Sequence, residues 1–296
     1  MINKSRNLFD KFSEDFASCE KVIKKHSKSF YSAFSQLPKD KARSVFAIYA
    51  FCRQADDAID RFKDLTLLND LQHGLQQLEA GTVLDAPIWR ALSVVFATYD
   101  LPFQPFYDML TGQRMDLDFQ QPATEADLSR YSYYVAGSVG LMLLPILSSN
   151  AAKIQTPAKK LGEAMQRTNI LRDIGEDLAM NRLYLPKETM ERFAVTPQQL
   201  KQKKVTASFI RLWEFEAEIA EKQYEEATLM MPQIDEDCQE ALMAALLIYR
   251  ELLTVIREKK YQVFLKKNVV SIQRKAYLLR SAKQQIKIYR SESYAR

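Results

Sequence analysis

Ser44-Val45-Phe46-Ala47-Ile48-Tyr49-Ala50-Phe51-Cys52-Arg53-Gln54-Ala55-Asp56-Asp57-Ala58-Ile59-Asp60 is apolar on nearly every side of a helix and ends in three aspartates. A helix apolar all round is buried. Carboxylates on a buried helix are costly unless something partners them. Asp56 and Asp60 lie four apart, so their side chains stack on one face. Arg53 and Tyr49 continue that face backward, giving a polar stripe on an otherwise greasy cylinder. Leu37-Pro38-Lys39-Asp40 breaks the chain before it, which predicts a helix from about Lys41 to Asp60 with Asp40 as its N-cap.

The pattern recurs in Gln166-Arg167-Thr168-Asn169-Ile170-Leu171-Arg172-Asp173-Ile174-Gly175-Glu176-Asp177. Asp173 and Asp177 are again four apart, with Asn169 and Gln166 aligned behind them. One such pair alone is usually a solvated helix face. Two pairs on apolar helices, each with an aligned polar stripe, call for cations between them. Oxygen donors without His or Cys suit Mg²⁺. Magnesium takes one or two carboxylates and completes its shell with water and phosphate. The expected ligand is therefore a diphosphate bridged to both helices through metal. A carboxylate di-iron bundle would need Glu-x-x-His motifs, and neither His26 nor His73 sits in one.

Outward from these stripes the periodicity stays helical. It predicts helices over residues 64–80, 86–99, 104–118, 125–148, 156–180, 196–231, 235–264 and 271–289. Only 7 glycines are present, too few for the turns of a sandwich or a doubly wound sheet. The expectation is an all-α bundle in a single domain over residues 1–296, with residues 1–17 and 290–296 frayed. Cys19, Cys52 and Cys238 are odd in number and widely spaced, which argues against a disulfide framework or a zinc site and fits a cytoplasmic protein. No signal peptide or membrane-spanning stretch is read. Residues 255–296 hold twelve Lys/Arg and two Glu, a net +10 on a body near −5. That asymmetry points to an anionic partner. Nucleic acid is disfavoured, since the basic segment carries no recognised motif.

The ordered motifs resemble those of the squalene/phytoene synthase family over roughly residues 18–280. They are His26-Ser27-Lys28-Ser29-Phe30, Tyr49 through Asp60, Tyr134-Val135-Ala136-Gly137-Ser138-Val139-Gly140, Gln166 through Asp177, and Arg182-Leu183-Tyr184-Leu185-Pro186. The resemblance implies an isoprenoid-synthase bundle with a central cavity. It implies head-to-head condensation of two prenyl diphosphates through a cyclopropylcarbinyl intermediate. Several Mg²⁺ ions, and no NADPH, are implied with it. Metal binding falls to Asp56, Asp60, Asn169, Asp173 and Asp177, and catalysis to those aspartates with Tyr131. Substrate contacts fall to His26, Lys28, Ser29, Tyr49, Arg53, Gln166, Asn169, Arg172 and Tyr249. Lys266 stands where the family often carries an arginine. Phe30, Phe34, Val139, Gly140 and Leu143 would line the tail pocket, with the glycines making room for the chains.

Phe34 resembles the aromatic of bacterial enzymes that make C30 dehydrosqualene, whereas Gln113-Arg114-Met115-Asp116-Leu117 is closer to C40 phytoene synthases. Farnesyl and geranylgeranyl diphosphate both stay open as substrates, and so does a squalene product. The rivals are a chain-elongating prenyltransferase or terpene cyclase, and a helical assembly factor of the same fold. An oily product and a basic tail also imply peripheral membrane contact. Oligomeric state is not readable.

Overall fold

The computed structural model describes residues 8–294. It is built of helices α1 (Ser13–His26), α2 (Lys28–Phe34), α3 (Lys39–Asp60), α4 (Leu65–Glu79), α5 (Pro87–Thr98), α6 (Gln104–Leu117) and α7 (Glu125–Ser132). A π-turn (Tyr133–Gly137) leads into α8 (Ser138–Leu147). Then follow α9 (Gln155–Ala179), α10 (Lys187–Arg192), α11 (Pro197–Lys201), α12 (Ala207–Thr228), α13 (Glu236–Glu258) and α14 (Ile272–Tyr294). No strand forms among the described residues.

Local chemistry sets the boundaries. Helix α3 ends where Lys63 takes a left-handed φ of 49°, and Asp64 then caps α4 by accepting from Thr66 N and Leu67 N. Thr124 and Asp127 form a capping box that starts α7. Asp40 is not the N-cap of α3. That place belongs to Pro38, and Asp40 sits in the first turn, where its charge suits the helix dipole.

Three expected helices are interrupted. Residues 125–148 run on as one rod but with the π-turn inside it. Residues 196–231 split into α11 and α12, because Lys203 turns left-handed and Thr206 caps a new start. Residues 235–264 stop at Glu258, where Lys260 and Tyr261 both turn left-handed. Residues 259–271 form a strap instead of a helix. The described part of the expected frayed ends is ordered. Phe9 and Phe16 are buried and stack at 5.0 Å, and Arg290 donates to Gln239 at 2.9 Å. Residues 1–7 and 295–296, also expected to fray, lie outside the described residues.

The long helices close into a ring. α3 packs on α1, α5, α6 and α8; α9 packs on α8, the π-turn, α12 and α13; α13 packs on α2, which returns to α1. α3 and α9 thus face one another with α6 and α8 bridging one side. Phe30, Tyr49, Val135, Val139 and Leu143 are only half-buried although they pack against the core, as expected of side chains lining an internal space. Glycines set the closest approaches. A Cβ on Gly162 would overlap the Ala136 carbonyl, and one on Gly140 would come within 2.6 Å of the Ala158 carbonyl oxygen. Gly140 therefore seats α8 against α9.

Candidate active site

Asp56 sits on the inner face of α3 and accepts from Gln113 Nε2 of α6 at 2.7 Å. Burial, reinforced by the neighbouring Asp60 carboxylate, pushes Asp56 up to about 7. On the opposite helix, burial and then Asp173 push Asp177 up to about 8. Each stripe thus holds a carboxyl that resists ionising beside its neighbour. Asp116 of α6 lies between them in charge terms, felt by both Asp56 and Asp177, and burial raises it too.

Basic side chains meet the acids at close range. Arg182, just past α9, donates to Asp60 at 2.5 Å and to the Asp116 carbonyl at 3.1 Å, tying the ends of α3, α6 and α9 together. Arg172 grips Asp173 through two hydrogen bonds of 2.8 and 2.5 Å. Arg53 donates to Asp57. Both arginines expected on diphosphate are thus in local ion pairs here. Asn169 Oδ1 is buried without a hydrogen-bond partner among the described residues, while its Nδ2 donates to Gln166 Oε1 at 3.5 Å. An unsatisfied buried oxygen aligned with the α9 acids suits a cation or a phosphate-bound water.

Tyr131 and Tyr184 both donate to Asp116, at 2.8 and 2.7 Å, with their rings stacked at 5.0 Å. Burial holds the Tyr131 hydroxyl far above the usual tyrosine range. The aromatic wall is continuous: Phe30 stacks on Phe34 at 5.8 Å and lies 4.7 Å from Tyr249 and 6.3 Å from Tyr49, centroid to centroid. Phe34 is fully packed. His26 is kept below the ordinary histidine range by burial and then by Arg53, which brings it near α3's basic residue. Lys28 is exposed and Ser29 half-buried at the start of α2. Val139 and Leu143 of α8 are half-buried.

In the strap over α9 the two neighbouring lysines differ. Lys266 is exposed with no ion pair among the described residues. Lys267 is the residue turned to the acids, 2.7 Å from Glu176 and 3.4 Å from Asp173. Gln113, Asp116, Arg182 and Tyr184 are further site residues that spacing arguments did not single out. Their signal was present, since Gln113 and Asp116 lie three apart on one face of α6 and Arg182 and Tyr184 sit in a quoted motif.

Among the described residues no three His, Cys, Asp or Glu side chains converge into a ready-made metal cage. A donor set of separated hard oxygens, with Asp56 and Asp177 each raised by burial, fits magnesium that fills its shell from phosphate and water.

The model of squalene/phytoene synthases matches residues 23–276. The chain belongs to the squalene/phytoene synthase family. It is 32% identical over 256 residues to a 4,4'-diapophytoene synthase of Staphylococcus haemolyticus (strain JCSC1435), covering 84% of this chain and 90% of that one. It is 34% identical over 279 residues to a 15-cis-phytoene synthase of Synechococcus elongatus, covering 89% and 90%. Its fold superposes with a TM-score of 0.94 on the crystal structure of a dehydrosqualene synthase, at 55% identity over 95% of this chain and all of that one. The bundle is thus an all-α family fold, with both aspartate stripes on its inner helices.

Proposed function

We propose that this family member is a single catalytic domain that joins two farnesyl diphosphates head to head. The product is dehydrosqualene (4,4'-diapophytoene), formed without a reductant. The observation that carries this reading is the pair of facing carboxylate stripes with raised Asp56 and Asp177. The 55% identity to a dehydrosqualene synthase supports the C30 product, and so does Phe34 packed across the aromatic wall.

Asp56, Asp60, Asn169, Asp173 and Asp177 would hold magnesium. Bound there, magnesium supplies the charge that makes diphosphate a leaving group. Gln113 fixes the Asp56 carboxyl, and Arg182 fixes Asp60. Arg53, Arg172, Lys28, Ser29, His26, Gln166 and the strap's Lys267 offer donors to the diphosphate oxygens. The Phe30, Tyr49 and Tyr249 rings face the space where an allylic cation forms, and their π faces stabilise it. Tyr131, held by Asp116, orders the same floor. The apolar wall of Phe30, Phe34, Val139 and Leu143 excludes water, which would otherwise trap the cation. Prenyl diphosphates are the proposed partners, and the cytoplasmic side is the proposed compartment.

The test is to incubate the protein with Mg²⁺ and farnesyl or geranylgeranyl diphosphate, without NADPH, and to weigh the hydrocarbon by mass spectrometry. A C30 triene from farnesyl diphosphate is expected. Phytoene made only from geranylgeranyl diphosphate would overturn the chain-length reading, which the phytoene synthase relatives keep in view. Asp56→Asn and Asp173→Asn are expected to lower turnover by about 10³-fold or more with unchanged helical circular dichroism. Wild-type turnover in either would sink the metal assignment.

A further inference from the structure

Away from the acids, α7, the π-turn and the first half of α9 border a cavity of about 450 Å³. Arg130 and Tyr133 line it from one side, and Thr156, Lys159, Lys160 and Glu163 line it from α9. None of the residues that form the acid-lined site reaches it. Lys160 lies about 20 Å along the helix from Asp173, so a ligand in this cavity does not touch the carboxylate stripes.

Three cations share the cavity with a single acid. Arg130 is exposed and Lys159 half-buried, and neither has a carboxylate within ion-pair distance among the described residues. A half-buried ammonium without a partner has lost hydration and gained no charge in return. Lys159 is nonetheless held, with its Nζ 6.0 Å from the centroid of the Tyr133 ring. Tyr133 is fixed in turn, since its hydroxyl donates to Asp108 of α6 at 2.5 Å. Glu163, the one acid, is already engaged. It accepts from Gln223 of α12 at 3.2 Å and pairs with Lys160 at 3.6 Å. Burial raises its carboxyl above the ordinary value, which weakens its opposition to an anion alongside. The start of α9 adds to the positive field. Ile154 at its N-cap supplies no side-chain cap, so amide N–H groups of the first turn stay free beside Thr156.

We infer that this cavity is a second anion site, separate from the acid-lined space, and that it takes a di- or triphosphate. Its volume falls in the range of small-ligand sites. A guanidinium can hold two phosphate oxygens at once, and two ammonium groups then match the remaining charge. A single carboxylate would leave two of the three cations unmatched. The same phosphate chemistry comes from free inorganic diphosphate or from the phosphate tail of a nucleotide. In the second case Tyr133 and the lysine stems would meet the organic part. The inference does not rest on the proposed condensation, so it is measured by binding alone.

The full chain, in EDTA, is acetylated with acetic anhydride while inorganic diphosphate or ADP is titrated in, and each lysine is read by peptide mass spectrometry. Labelling of Lys159 and Lys160 is expected to fall at least fivefold at saturation, while the exposed Lys201 and Lys203 stay unchanged. Protection at a lower concentration of diphosphate than of ADP assigns the site to the free anion, and the reverse order assigns it to a nucleotide. In Arg130→Ala/Lys159→Ala, with an unchanged melting temperature, the concentration that protects Lys160 is expected to rise at least tenfold. In Asp56→Asn/Asp173→Asn it is expected to stay within twofold of wild type. Failure of both anions to protect Lys160 in the wild type would overturn the site. So would equal protection in Arg130→Ala/Lys159→Ala, and protection lost in Asp56→Asn/Asp173→Asn would show that the cavity is not separate from the acids.

Discussion

Two adjacent exposed lysines differ in their partners. Lys267 reaches Glu176 and Asp173, while Lys266 pairs with no carboxylate among the described residues. Lys267→Ala should raise the KM for prenyl diphosphate by about tenfold, the scale of one charged hydrogen bond. Lys266→Ala should leave the KM within about twofold. Steady-state kinetics on the pair checks both. The sequence placed a cation in this segment but could not say which lysine would pair with the α9 acids, since both precede the buried Asn268 in an irregular stretch. Glu216 carries a pH effect. It lies buried on α12 with Glu125 of α7, and both accept from Arg167. Burial, opposed by Arg167 and joined by the Glu125 carboxyl, raises Glu216 from 4.5 to about 8, so it keeps a proton at neutral pH. The folded state then binds the extra proton. Its stabilising contribution is complete below pH 4.5 and is lost as pH rises through about 8. Glu216→Gln should remove that dependence. Denaturant unfolding of wild type should weaken between pH 6 and 9 by roughly 2–3 kcal/mol relative to the variant. Parallel stability curves for the two proteins would refute the assignment.

Helices here are held by their closest approaches. Gly175 of α9 touches the strap so tightly that a Cβ would meet Phe264 backbone atoms at 2.6 Å. Gly175→Ala should push the strap away, cost about 2 kcal/mol of stability, and raise the substrate KM as Lys267→Ala does. Gly162→Ala, which overlaps the Ala136 carbonyl, should cost about 3 kcal/mol. Chemical denaturation of both variants tests this; tolerance of either side chain would show that α9 can slide. The expected roles of these glycines were only half legible. Scarcity made each one conspicuous in the sequence. Whether Gly140 faced a ligand or a backbone depended on which helix packed opposite, and that helix proved to be α9. The broken helices have the same cause. Nothing in residues 202–206 or 259–264 forbids a helix, and left-handed turns at Lys203, Lys260 and Tyr261 stop the hydrogen-bond ladder.

The ring of helices makes metal and diphosphate depend on each other. The carboxylates come from α3 and α9 and do not converge alone among the described residues. Mg²⁺ by itself should therefore move the melting temperature little. Mg²⁺ with inorganic diphosphate should raise it by about 5 °C once both are well above their dissociation constants. Differential scanning fluorimetry separates the two conditions, and an equal shift from Mg²⁺ alone would mean a closed cage. The basic tail needs its own account at this scale. No helix among the described residues is long and apolar enough to cross a membrane. The net positive charge of residues 255–296 is spread over the strap and α14, where Arg274 pairs with Glu258 and other cations stay exposed. The order of residues along the chain was sufficient for the helical class, both acidic stripes and the family, because helical spacing alone aligns Asp56 with Asp60 and Asp173 with Asp177. It could not say that Arg182 would bridge to Asp60, or that Gln113 and two tyrosines would converge on the acids of α3 and α6. Those contacts join residues tens of positions apart. Only closure of the ring brings them within hydrogen-bond reach, and no local periodicity encodes that distance.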